Sequence, residues 1–242
     1  MSAQLCVRPG VYFAAVQGEG VIMDLIEDRY YGLCAQSTAL WQRLLEGKLL
    51  ENPPISHAVS PEIIAQQLDA WRQTKLVIDR AAKSPITNVL PVLKTVGSPA
   101  AVGLDTARIG AAPFSLLGFL HLLRAGGWSR RSMKRRGICW TLKRLQQIPV
   151  PVTQQPRRVD VIVHSVMRAY GSSRQLWSRG KDDCLPRSLA LVVALRRLGV
   201  DAEICFGVQK FPFAAHAWVE AGGRVINETP ESVRHYTLLA RF

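Results

Sequence analysis

Residues 184–199 read "CLPRSLALVVALRRLG", and this stretch decides the fold of the second half of the chain. It is apolar on most sides up to Arg196 and Arg197, two cations that suit the negative end of a helix, and Gly199 ends it. A helix this apolar is buried on nearly all sides. Downstream, "DAEICFGV" (201–208), "HAWVEA" (216–221) and "RVINE" (224–228) alternate as strands do. Upstream lie three helical stretches, "SLLGFLHLLRAG", "SMKRRGICWTLKRLQQ" and "VDVIVHSVMRAYG". Helices followed by a small antiparallel sheet define an α+β class.

Cys184 opens the buried helix, with Asp182 or Asp183 as the expected N-cap. Pro186 is tolerated because first-turn N–H groups lack intrahelical partners. Those free N–H groups and the positive helix end lower a thiol's pKa and can cradle an oxyanion. A lone cysteine is more often a small buried hydrophobe. Here, however, His216 follows thirty-two positions later, on the strand expected at the centre of the sheet. A first-turn side chain and a strand side chain can meet when the helix packs on that sheet, giving a nucleophile and a base. Hairpin register leaves two candidates to orient the imidazole. A two-residue Gly222–Gly223 turn puts Asn227 on the face of His216. A three-residue loop, Ala221 to Gly223, puts Glu228 opposite it.

The first 82 residues read differently. Segments 11–17, 20–28 and 29–35 are β-branched and aromatic and fit a three-stranded antiparallel meander. Ser37 is the expected cap of a helix ending at Gly47. Ser60 and Pro61 open a second helix, with Ile63, Ile64, Leu68 and Trp71 as its inner face. Residues 83–110, rich in Pro, Gly, Ser, Thr and Ala, read as a linker. The domains are therefore 1–82, the linker 83–110, and 111–242.

Composition excludes several classes. At 48% apolar and 20% charged residues the chain is globular. No segment is long and apolar enough for a membrane span, and no signal peptide is visible. Five scattered cysteines without a C-x-x-C pair argue against a disulfide framework or a zinc site and predict a cytoplasmic location. No standard nucleotide-binding motif occurs. The net charge of +13 is concentrated in residues 124–181, which hold fourteen Lys and Arg against Asp160 alone. That segment is either a solvated helical surface or a docking face for an acidic protein, a nucleotide, or an anionic membrane with or without an exporter. No nucleic-acid-binding module is present, and nucleic acid is not an expected partner.

The run "CLPRSLALVVALRRLGVDAEICFGV…PFAAHAWVEAGGRVINE" resembles the transglutaminase-like cysteine protease domain of lasso-peptide B proteins, closely over about 150–242. That family carries C-L-x-R-S-L-A-L, H-A-W-V-E and a V-N-D ending. "VIMDLIEDRYYGLCAQSTALWQRLLEGK" looks like the winged-helix, PqqD-like element that grips leader peptides of ribosomally made natural products. The two in this order match the fused form of lasso B proteins. The resemblance implies a papain- or transglutaminase-like peptidase that removes the leader from a lasso precursor and passes the core to an asparagine-synthetase-like cyclase.

Carried over, Cys184 is the nucleophile, His216 the base and then acid, and Glu228 stands where the family has Asp. This favours the three-residue loop. Leader capture by strand addition would use Tyr30, Tyr31 and Leu33, with Ile64, Leu68 and Trp71 on the facing helix. No metal is implied and no cofactor site is visible. The resemblance leaves room for ATP in the maturation step. The rival functions are a non-catalytic leader-binding escort of the cyclase and an acyl transferase using the same thioester.

Overall fold

Residues 4–47, 60–80, 98–150, 155–177 and 184–242 are described by the structure, a computed structural model. Asp182, Asp183 and residues 83–97 lie outside them. The chain divides into two units, Met1–Thr95 and Val96–Phe242.

In the first unit, β1 (Gln4–Val7) pairs antiparallel with β5 (Val77–Arg80). The expected meander forms from β2 (Val11–Val16), β3 (Glu19–Asp24) and β4 (Arg29–Leu33), in the order β2-β3-β4. Helices α1 (Ala35–Leu45) and α2 (Pro61–Gln73) complete the unit. The core gathers Val11, Ile22, Leu33, Trp41, Trp71 and Leu76, with Trp41 and Trp71 meeting edge to face at 4.8 Å. Ser60 caps α2 as expected, accepting from the Ile63 N–H. Ser37 does not cap α1. The helix begins earlier, after Cys34, and Ser37 donates to Gln67 Oε1 at 3.0 Å, tying α1 to α2. Ile63 is exposed rather than inward-facing. Buried Asp24 pairs with Arg8 and accepts from the Ile26 and Glu27 N–H groups, closing the β3–β4 turn.

The second unit begins within the stretch read as a linker. Residues 98–110 carry β6 (Val102–Gly103) and the start of α3 (Thr106–Ala111), so this part is built into the fold. Two upstream helical stretches merge into α4 (Leu116–Gln146), kinked at Gly137, and the third is α5 (Pro156–Trp177). Then come α6 (Cys184–Arg197), β7 (Ala202–Gln209), β8 (Ala214–Ala221), β9 (Arg224–Val225), α7 (Pro230–Val233) and β10 (Thr237–Arg241). The sheet runs β10-β7-β8-β9-β6, with β8 central as expected. It is mixed rather than purely antiparallel, because β6 joins β9 in parallel.

Helix α6 is the spine of this unit, buried continuously from Ser188 to Arg196. Leu189, Leu191, Val192 and Leu195 lose essentially all contact with water, each contributing roughly 1.5–3 kcal/mol of transfer free energy. Arg196 is buried too. Its Nη1 donates to the Leu145 carbonyl in the last turn of α4 at 2.9 Å, and its Nε donates to Ala202 O at 2.8 Å. At the other end of α6, Ser129 Oγ of α4 donates to Pro186 O at 3.1 Å and holds the first turn in place. Among the described residues no helix is long and apolar enough to cross a membrane.

Candidate active site

The site forms where the first turn of α6 meets an edge of β8 that the next strand leaves early. Even-numbered residues of β8 direct their main-chain groups to β7, where His216 pairs with Gly207 and Trp218 with Cys205. Odd-numbered residues face β9, but that ladder contains only Glu220–Val225 and Ala221–Arg224. The remaining groups find other partners. Ala217 O accepts from Ser188 Oγ at 2.9 Å, and the Ala217 N–H reaches the Cys184 sulfur. Val219 O accepts from the Ile226 N–H at 2.9 Å, and the Val219 N–H donates to Asn227 Oδ1 at 2.8 Å. The main-chain groups of Ala217 and Val219 are thus paired without a neighbouring strand.

Cys184 and His216 are hydrogen-bonded side chain to side chain, and His216 Nε2 lies 3.4 Å from Glu228 Oε1. The expected residues thus meet, but not by the expected loop. Gly222 and Gly223 form a two-residue turn, both with positive φ (+56° and +72°), the conformation for which glycine is suited. The three-residue loop is absent. Glu228 nevertheless reaches the imidazole, because the chain leaves the ladder after Ile226.

Trp218 stacks on the His216 ring at 6.3 Å between centroids and 22° between planes, and Tyr236 packs against it at 5.4 Å. The Trp218 ring and the Tyr236 Cβ close over Gly207, where an added Cβ would come within 2.7 Å of Trp218. Trp218 Nε1 donates to Glu220 Oε1 at 2.9 Å. Glu220 is itself buried; it also accepts from the Ala100 N–H at 3.0 Å and pairs with Arg241 at 3.1 Å. Arg187, one turn into α6, donates through Nε to the Tyr170 hydroxyl at 3.3 Å. Ser188, Glu220 and Tyr236 are site neighbours that sequence reasoning missed. The alternation in "HAWVE" that puts residues 216, 218 and 220 on one face was the signal available for Glu220.

Burial is the largest influence on Cys184 and pushes the thiol up. The hydrogen bond with His216, the N–H groups of Ala217 and Leu185, and the attraction of the imidazole together outweigh it, leaving the thiol below its ordinary value. His216 is raised to about 9, first by its hydrogen bond to Cys184 and then by Glu228, against burial. A lowered thiol and a raised imidazole both favour the thiolate–imidazolium pair, the reactive form of a cysteine nucleophile.

Alkylation of Cys184 by iodoacetamide is therefore expected to persist below the usual thiol range of about 8.5. His216→Ala should move its pH midpoint upward. Peptide-resolved mass spectrometry is the required readout, because exposed Cys34 is also lowered by its hydrogen bond to Ser37. Identical profiles in the two proteins would refute the pairing. Cys205 is fully buried and pushed far up by burial, so it is no rival nucleophile. Among the described residues no group of three or more His, Cys, Asp or Glu could hold a metal ion.

The leader-binding candidates divide. Leu33 and Trp71 belong to the core of the first unit, and Tyr31 and Leu68 pack partly buried against it. Ile64 is half-buried and Tyr30 exposed. Strand β4, which carries Tyr30, Tyr31 and Leu33, is an edge strand of its sheet.

A cysteine at the tip of a buried helix, a histidine on the central strand and an acid beyond it define a class. The chain belongs to the transglutaminase-like superfamily, whose family model matches residues 118–241. It is also similar to the Microcin J25-processing protein McjB of Escherichia coli, 48% identical over 50 residues. That match spans 21% of this chain and 24% of the relative. No solved structure gives a significant match.

Proposed function

We propose that this protein is the leader peptidase of a lasso-peptide maturation system. The observation that carries this reading is the contact of His216 with both Cys184 and Glu228. Similarity to a protein named for microcin processing supports the substrate class. The Cys184 thiolate attacks the carbonyl carbon at the leader–core junction. The His216 imidazolium gives its proton to the leaving amine of the core, and the leader remains as a thioester on Cys184. His216, now neutral, takes a proton from water, and the resulting hydroxide releases the leader. In this reading main-chain N–H groups at the start of α6 receive the oxyanion. Glu228 holds the ring and favours its charged form; its extra methylene relative to Asp fits the 3.4 Å contact.

In this reading residues 1–82 form a PqqD-like leader-binding element, which captures the leader as an added strand on β4, beside Tyr30 and Tyr31 and the half-buried Ile64 and Leu68. The core passes to an asparagine-synthetase-like cyclase. Its docking face is the cationic side of α4. There Arg131, Lys134 and Arg135 are exposed beside Gly127 and Arg130, around a hollow of about 530 Å³. Asp160, the one acid of the segment, is already paired with Arg224.

The test is incubation of the protein, with and without a cyclase and ATP, with precursor peptides encoded beside it, followed by mass analysis. Separate leader and core masses support hydrolysis. A cross-linked mass supports acyl transfer instead, and an intact precursor under all conditions refutes the assignment.

A further inference from the structure

Both contacts of His216 depend on chain segments that meet β8 along its open edge, and a single carboxamide is bonded to each of those segments. Asn227 Oδ1 accepts from the Val219 N–H at 2.8 Å. Its Nδ2 donates to Ser188 Oγ at 3.1 Å, and Ser188 in turn donates to Ala217 O at 2.9 Å. We propose that Asn227, acting with Ser188, is the positioning residue of this site, seating the nucleophile helix on the histidine strand and turning the chain so that Glu228 reaches the imidazole.

Ser188 lies one helical turn beyond Cys184, on the same side of α6, so anchoring Ser188 to Ala217 fixes where the Cys184 sulfur sits along β8. Ser188 is fully buried, and its hydroxyl has both a donor and an acceptor role in the chain of bonds. Strand register points the same way. In a continued antiparallel ladder Val219 and Ile226 would exchange both main-chain bonds. Only the bond from the Ile226 N–H to Val219 O is made, and the Asn227 carboxamide takes the Val219 N–H in place of the Ile226 carbonyl. Continuation would set Glu228 opposite Ala217, on the face away from His216. By substituting for the backbone, Asn227 releases the chain at the one point where leaving the ladder carries Glu228 to the ring. Aspartate could replace the acceptor but not the donor, so both halves of the amide are used.

The inference rests on the reading of Cys184 and His216 as a pair, and not on the identity of the peptide cleaved. Its test is accordingly substrate-free: the pH profile of Cys184 alkylation by iodoacetamide, in the full chain, for Asn227→Ala, Asn227→Asp, Ser188→Ala and the double alanine variant. Melting temperatures are taken on the same samples. At pH 6 the alkylation rate is expected to fall roughly tenfold in Asn227→Ala and Ser188→Ala, the change that loss of one pKa unit of thiolate stabilisation produces. Asn227→Asp, which keeps the Val219 bond, should fall between these and the parent. The double variant should be no slower than the slower single, because the two side chains act in series. Lower melting temperatures with an unchanged alkylation profile would assign these residues a purely structural role and overturn the proposal. So would an unchanged profile in Asn227→Asp and Ser188→Ala, the mildest changes, should the others fail to fold. Failure of the parent reading registers elsewhere, as unaltered alkylation in His216→Ala.

Discussion

Cys184→Ala is expected to abolish precursor cleavage, by about 10⁴-fold or more, while leaving leader binding and the fold intact. The magnitude follows from the division of labour in the site. Without the sulfur no thioester forms, and what remains is the oxyanion cradle and the grip on the peptide, which in comparable sites leave only a small residue of catalysis. The fold should tolerate the change because Cys184 is only half-buried and starts α6, whereas the packing that holds the helix begins at Ser188. Timed incubation with precursor and mass analysis gives the rate, and circular dichroism checks the fold. A variant that still supports full maturation would mean an escort rather than a protease. His216→Ala should lose a similar factor, and the double variant little more, since nucleophile and base work as a unit.

Glu220→Ala is expected to destabilise the second unit by about 3 kcal/mol and to impair the site together with the fold. Glu220 collects the Trp218 indole N–H, the Ala100 N–H and the Arg241 guanidinium. Removing it leaves the buried indole N–H and the half-buried Ala100 N–H without their partner and frees the ring that supports His216. Arg241 is about a third exposed and can turn to water, which limits its share of the cost. Glu220→Gln keeps an acceptor for Trp218 and should lose clearly less. Urea unfolding of the three proteins measures the difference. Equal stability of Glu220→Ala and the parent would remove Glu220 from the account of how Trp218 is held.

Long periodic elements were legible in the sequence. The all-round apolar helix α6, the alternation of β7 and β8 and the aromatic meander of the first unit depend on local pattern, and each lies within a residue or two of its expected place, apart from the longer loops in the meander. The two-residue strand β6 was not legible, whereas β9 falls inside the longer strand read at 224–228. β6 has two residues and its partner β9 lies 122 positions away, so nothing nearby reports the pairing. The Cys184, His216 and Glu228 contact was anticipated, but for a reason that fails. Counting residues around the Gly-Gly turn assumes that the ladder continues, whereas a side-chain amide takes the place of the backbone at Val219. The inner-face assignment of Ile63 failed for a simpler cause: an apolar residue one position off the buried stripe of α2 reads the same as one on it.

The strand made by Val102 and Gly103 bears on how the second unit could ever stand alone. It closes the flank of the sheet beyond β9, and Ser98 and Ala100 just before it are held by Arg241 and Glu220. Cutting the polypeptide at residue 111, where composition alone would draw the border, would strip a flank from the sheet and bare two groups that now clasp the incoming chain. A severed second unit would have to retain its approach ramp from Ser98 onward.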